Sequence, residues 1–287
     1  MTLRLREIPL ALGEEESQLP DKIAALLDFR RSAINRWQVV RRGIDARKKP
    51  NVLRVYVVDF EVDEAPQLLQ RHADNPRLVA VPEPEQPVRY RLKRKPKIVV
   101  VGMGPAGLFA ALRLAENGAD VTLLERGKPV EERYRDVTSF QRDRQFDPES
   151  NIQFGEGGAG TFSDGKLNSR LNHPLMQQVL ETLVRFGAPE EILCQAKPHV
   201  GSDRLRALLV RFRQQLQSLG VDIRFSTRLC GIETSDNRCV AVRLQNDELL
   251  PADQVVLALG HSARDSYQML HQAGVAMDKQ AFANGLR

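Results

Sequence analysis

Gly102, Gly104 and Gly107 stand at the spacing GxGxxG, and Glu125 follows 23 positions after the first of them. Each glycine answers a need for a missing side chain. The first permits a tight turn, the second lets backbone approach a diphosphate, and the third lets a helix start close against a strand. A carboxylate about 20 residues further on is placed to accept the hydroxyls of a ribose. Pro105, Ala106 and, after the carboxylate, Arg126 complete the local set. The alternative is a glycine turn with a purely structural purpose.

A second stretch, FGEGGAGTFSDGK, holds Gly155, Gly157, Gly158, Gly160 and Gly165 among Ala159, Thr161, Ser163, Asp164 and Lys166. A loop so poor in side chains can close its backbone amides on something flat or anionic. It can also be a structural hairpin. Later, Val255–Leu259 form an apolar run ending in small residues, with Ala258, Gly260, His261 and Ser262 at its exit, where backbone could pass beneath a dinucleotide. Thr227–Leu229, Leu229 included, are placed to pass the adenine end of such a ligand. His199 sits in the irregular run CQAKPHVGSD and reads most simply as a loop histidine. Three cysteines (Cys194, Cys230, Cys239) form no CxxC and five scattered histidines form no metal set, so free thiols are expected. A hairpin pairing of Cys230 with Cys239, or a redox role, is the alternative.

The elements that must position these residues are readable. Ile98–Val101 is a β-branched apolar run suited to a buried parallel strand. Pro105 is tolerated in a first helical turn, and Ala106, Ala110 and Ala111 keep the next helix slim until Asn117-Gly118 stops it. Val121–Leu124 then makes a second strand that delivers Glu125. Residues 128–146 read as a charged helical connection, and 174–187 and 202–219 as amphipathic helices, the latter between Ser202 and Gly220. From Val221 the chain turns to strands. The expected fold class is α/β, a Rossmann-like dinucleotide-binding domain.

Before it, residues 3–10, 33–42, 52–62 and 78–81 read as strands and 19–29 and 64–72 as helices, with the charged stretch GIDARKKPN as the turn between the middle strands. That βαββαβ order predicts an α+β ferredoxin-like module. The expected division is a ferredoxin-like domain over 1–81, a Pro-rich basic linker over 82–96, and a cofactor domain over 97–287.

At 287 residues with 42% apolar content, the chain can bury real cores. Its net charge of +5 falls entirely in residues 1–96, which hold 19 Lys or Arg against 14 Asp or Glu. Arg41, Arg42, Arg47, Lys48 and Lys49 concentrate it. A solvated hairpin tip, or a surface facing the cofactor domain, is the favoured reading of that cluster, ahead of a nucleic-acid or anionic-partner patch. No apolar run is long enough to span a bilayer and the start resembles no secretory signal, so no membrane partner and a cytoplasmic location are expected.

Taken together, RRGIDARKK, NIQFGEGGAGTFSDGKLNSR, KPHVGSDRL and LALGHSARDSYQML resemble a bacterial family of FAD-dependent dehydrogenases or oxidoreductases built on the glutathione-reductase-type FAD/NAD(P)-binding fold. The resemblance covers nearly the whole chain. It implies FAD bound by Gly102, Gly104, Gly107 and Glu125, with the 155–166 loop and Ala258–Ser262 closing on it; Ser163, Asp164 and Lys166 would stand within reach of a flavin ring. It implies flavin-mediated hydride transfer to or from a small-molecule substrate it does not name. NAD(P)H could serve as the electron donor, although no second GxGxxG is present. Such flavoproteins continue into a later strand and helix bearing a Gly-Asp or Gly-Glu motif, whereas this sequence stops at FANGLR; a fragment truncated at its C-terminus is therefore expected. A non-catalytic flavin or dinucleotide binder, and an NAD-dependent or nucleic-acid-associated protein, are the other classes left open.

Overall fold

The structure is a computed structural model that describes residues 1–82, 92–167, 173, 175–236 and 238–279. The chain divides into two compact units, Met1–Val88 with Lys166–Val200, and Arg89–Gly165 with Gly201–Arg287. Most of the expected linker (83–91) and the final residues 280–287 lie outside the described residues.

The first unit opens with β1 (Thr2–Ala11), α1 (Leu19–Leu26), β2 (Ile34–Lys48), β3 (Asn51–Val62), α2 (Ala65–Arg71) and β4 (Leu78–Ala80). Its four strands make an antiparallel sheet in the order β2-β3-β1-β4. The register of β1 shifts between Leu5 and Ile8, with Glu7 at φ 59. The shift explains why the alternation of β1 is weak by eye: Leu3 and Leu5 before it and Ile8 and Leu10 after it all reach the core, beside Tyr56, Val58 and Phe60. Leu19, Ile23 and Leu27 cover that face.

One expectation is corrected here. The charged stretch GIDARKKPN is not the turn between the middle strands, because β2 runs through it to Lys48 and pairs Gly43 with Val55, Ile44 with Arg54 and Lys48 with Asn51. Its charges stand on a long two-stranded arm, where extended backbone lets them alternate into solvent.

The second unit begins with β5 (Lys97–Val101), α3 (Pro105–Glu116), β6 (Asp120–Leu124) and α4 (Val130–Asp143). After α4 and the glycine-rich loop, α5 (Leu175–Arg185) belongs to the first unit. There the Arg42 amide donates to the Cys194 carbonyl (2.6 Å) and the Ala196 amide to the Arg42 carbonyl (2.8 Å), so residues 194–196 run parallel along the outer edge of β2. Grouping 166–200 with the first unit departs from the sequence division, since an edge contact across 150 residues leaves no periodic trace. The second unit resumes with α6 (Ser202–Ser218), β7 (Asp222–Arg224), β8 (Leu229–Ser235), β9 (Arg238–Leu244), β10 (Leu249–Pro251), β11 (Gln254–Leu257) and α7 (Arg264–Gln272).

Its main sheet is parallel, in the order β11-β5-β6-β7, and the carboxyl ends of β11, β5 and β6 lie side by side. That edge is where ligands sit in open α/β sheets. A three-stranded antiparallel sheet, β10-β9-β8, packs Leu229, Val242 and Leu244 against Val99, Val101 and Leu124. The chain is thus mixed α/β with a Rossmann-like parallel sheet.

Candidate functional site

At the end of β5 the chain turns under the exit of β11. The Gly102 amide donates to the Leu124 carbonyl (2.8 Å) and the Ala258 amide to the Val101 carbonyl (2.8 Å), which draws three strand ends together. Gly102 has φ +100, and a Cβ there would strike the Ala258 carbonyl oxygen; a Cβ on Gly107 would strike the carbonyl oxygen of Gly102. Gly104 differs. Its backbone is extended, and an added Cβ would meet nothing nearer than the Gly158 Cα, at 3.9 Å, among the described residues beyond its chain neighbours. Nothing inside the fold demands a glycine at 104, so its bare backbone is explained by what lies outside.

The helix α3 starts there with Gly104 as N-cap and no side-chain cap. The first intrahelical bond is Leu108 amide to Gly104 carbonyl (3.0 Å), so the Ala106 and Gly107 amides have no intrahelical acceptor, and Pro105 has no N–H to satisfy. Unsatisfied donors and the positive end of the helix dipole together favour an anion.

Glu125 is buried. Its Oε1 accepts from the Gly127 amide (2.9 Å) and the Gly155 amide (2.9 Å), and its Oε2 from the Met103 amide (2.7 Å). A carboxylate offers about four acceptor positions, and three are taken by backbone, which leaves one on Oε2. The sequence expectation of a carboxylate for ribose hydroxyls is therefore narrowed: Glu125 first ties the turn after β5 to the glycine-rich loop.

That loop is folded around a guanidinium. Arg133, on α4, is fully buried and donates through Nε to the Asn151 carbonyl (2.8 Å), through Nη2 to Ile152 (2.9 Å), and through Nη1 to the carbonyls of Gly155 (3.2 Å) and Glu156 (2.6 Å) and to Thr161 Oγ1 (3.2 Å). Burial pulls its proton affinity down to about 10, with the Glu125 and Glu156 charges opposing, so it stays charged at neutral pH. The sequence reading missed it. A signal existed: Val130, Arg133 and Val137 share the buried face of α4, and an arginine on an apolar face must have partners.

Glu156 is the loop's buried acid. Its Oε2 accepts from the Val130 amide (2.7 Å) and from Arg213 Nη1 (3.0 Å), while its Oε1 has no hydrogen-bond partner among the described residues. Burial pushes the carboxyl up to about 7, against the pull of Val130 and Arg213. A folded-state value above the ordinary 4.5 means that folding takes up a proton between those two values. The group's contribution to stability is then complete below about pH 4.5 and lost as pH rises through about 7. Glu156→Gln, which fixes the neutral form, is expected to flatten the fall of melting temperature across this window; a parallel curve for the two proteins would show that Glu156 stays charged.

These elements enclose a cavity of about 310 Å³ in the second unit. Of the sequence-predicted residues, Gly102, Gly104, Pro105, Ala106, Glu125, Arg126, Gly158, Ala159, Leu229, Ala258, Gly260 and His261 line it. The others do not. Gly107 lies behind the turn, the Gly157 amide ties the loop to the Met103 carbonyl (2.8 Å), and Thr161 is buried on Arg133. Ser163 donates to the Gly160 carbonyl (2.7 Å), Asp164 is outside the lining, and Lys166 belongs to the first unit, bridged to His199.

The polar side chains of the lining are fixed by their neighbours. Arg126 lies 4.2 Å over the Phe154 ring and is held by Glu149 (2.7 Å) and Asp265 (2.9 Å), and Arg228 reaches the same two carboxylates at 3.3 and 3.4 Å. Ser262 Oγ donates to Gln153 Oε1 (3.1 Å) and lies 3.2 Å from His261 Nε2, and the Tyr267 hydroxyl donates to the Gly260 carbonyl (3.0 Å). Among the described residues there is no group of three or more potential metal ligands, and no helix is long and apolar enough to cross a membrane.

Residues 132–276 match the family described as flavin containing amine oxidoreductase, residues 97–133 an FAD binding domain, and residues 2–61 a domain of unknown function. An uncharacterized protein of Clostridium beijerinckii is 38% identical over 288 residues, covering 100% of this chain and 54% of its own length. An FAD-dependent monooxygenase of Hypoxylon pulicicidum is 29% identical over 176 residues, covering 57% of this chain and 37% of its own. The chain thus spans about half the length, or less, of these curated relatives. A solved THI4 of Thermovibrio ammonificans is 16% identical, covers 63% of this chain and 64% of its own, and has a TM-score of 0.42.

Proposed function

The chain belongs to the FAD-dependent oxidoreductases, and we propose that its cavity receives the adenosine diphosphate half of FAD. The observation that carries this is a helix start without a side-chain cap and a buried carboxylate with one remaining acceptor position, both lining one cavity. The residues present fit that half of the cofactor. In this reading the Ala106 amide holds the diphosphate and the bare Gly104 lets it approach. The last lone pair of Glu125 Oε2 orients a ribose hydroxyl. Arg126, fixed between two carboxylates and stacked on Phe154, walls the adenine end rather than neutralising a phosphate, because its charge is already matched.

FAD, when bound, supplies a ring that takes up and gives back a hydride equivalent. The reaction we propose is dehydrogenation or reduction of a small molecule, with NAD(P)H as electron donor. Asp164 and Ser163 are proposed to lie nearer the flavin end than the adenine end, since they follow the loop that lines the cavity. We also propose a cytoplasmic location, a ferredoxin-like reading of the N-terminal module, and the segment 82–96 as the boundary before the cofactor domain.

A competition experiment separates the two halves of the cofactor. Quenching of flavin fluorescence by the chain is expected to be strong with FAD and at least about tenfold weaker in affinity with FMN, which lacks the adenosine moiety, and ADP is expected to displace FAD. Equal affinity for FMN and no displacement by ADP would place the anchoring contacts elsewhere.

A further inference from the structure

A second, larger cavity of about 1240 Å³ lies wholly in the first unit, outside everything assigned to FAD. Its floor is the face of the sheet opposite the core. Tyr56 and Val58 of β3 are buried among Leu3, Leu5, Ile8 and Leu10, so the alternating Val55 and Val57 stand on the other face, paired across with Gly43 and Arg41 of β2. Two large aliphatic side chains at the rim, Leu12 and Ile44, are 63% and 75% exposed.

Six cationic side chains line this groove against two carboxylates. Both carboxylates are already paired, Asp45 with Arg47 and Glu7 with Arg77, and Arg42 is paired with Glu16. Arg41 and Lys197 carry no ion pair among the described residues. Among the described residues the Arg54 guanidinium donates to the carbonyls of Ala11 and Glu14, and its buried Nε has no acceptor. Uncompensated positive charge therefore overlies an aliphatic floor.

We propose that this groove docks an extended, acidic segment of a partner protein, its carboxylates on Arg41 and Lys197 and its apolar side chains over Val55, Val57 and Ile44. A small anion would leave a space this large and open unfilled and gain nothing from the aliphatic floor. A single-stranded nucleic acid would want aromatic platforms for its bases, and among the described residues no aromatic side chain lines the groove. Aliphatic residues with a cationic rim suit alternating acidic and apolar side chains.

The test uses the full chain loaded with FAD and a fluorescein-labelled decapeptide of alternating Glu and Leu, read by anisotropy at low salt, beside a Lys-Leu decapeptide and an oligouridine of equal length. Saturable binding of the Glu-Leu peptide alone is expected. The double substitution Arg41→Glu with Lys197→Glu should weaken it by about tenfold or more. Ile44→Ser should weaken it severalfold without changing its salt dependence. An unchanged far-ultraviolet circular dichroism spectrum and melting temperature serve as the folding control, and Arg41→Gln with Lys197→Gln should give a smaller loss in the same direction. No saturable binding of the Glu-Leu peptide, an affinity indifferent to these substitutions, or tighter binding of the RNA would overturn the proposal.

Discussion

Replacing Arg133 with methionine is expected to lower stability by about 3–5 kcal/mol, the range for removing one partner of a buried charged network. Methionine fills much of the same volume, so the loss is not chiefly a cavity. What it cannot do is donate. Four loop carbonyls, those of Asn151, Ile152, Gly155 and Glu156, and the Thr161 hydroxyl would lose the donor that gathers them, all but Ile152 in buried surroundings. Each buried acceptor left without a partner costs about 1–3 kcal/mol, less whatever relaxation recovers. Glu125 and Glu156 would also lose the cation beside them. Lysine offers three donors from a point rather than five from a fork, so Arg133→Lys should recover only part of the loss. The denaturant midpoint checks the ranking, and an Arg133→Met midpoint equal to that of the parent would show that the loop does not need its guanidinium.

The second large effect separates two glycines of one motif. Gly107→Ala places a Cβ against the Gly102 carbonyl oxygen, backbone that cannot step aside without moving the start of α3 or the end of β5. We expect a loss of about 3 kcal/mol, at the upper end of overpacking penalties. Gly104→Ala has room, with nothing nearer than 3.9 Å and a backbone that alanine adopts freely, so its stability should stay within about 1 kcal/mol of the parent. The pair therefore distinguishes a glycine kept for the fold from one kept for a ligand, and thermal melts of the two variants read that difference directly.

This contrast also shows what a sequence can disclose. The run from Ile98 to Glu125 was legible because strand, turn, helix and strand follow one another and each is signalled by its own residues. Gly102, Gly104 and Gly107 look alike in a motif, yet only the packing reveals that two of them clear backbone and the third faces a cavity. Glu125 was found by spacing, but its three amide donors come from Met103, Gly127 and Gly155, and the last of these is brought in by the fold. Arg133 was hidden among the charges of a helix that reads as solvated, and only its place between Val130 and Val137 hinted at burial. The stretch from Gly43 to Lys48 reads as a turn because charge and glycine are turn signals, whereas pairing with β3 decides the matter. The attachment of residues 194–196 to the edge of β2 had no local signature at all.

The most direct test of the cofactor assignment is an FAD titration followed by visible absorption, run side by side on the parent chain and Gly104→Ala. The parent is expected to take up FAD saturably, with the shifted and structured flavin band of a bound ring. The variant, with an unchanged melting temperature before FAD is added, should bind at least about tenfold more weakly. Undiminished uptake by the folded variant, or none by the parent, would contradict the claim that the start of α3 is where FAD is held.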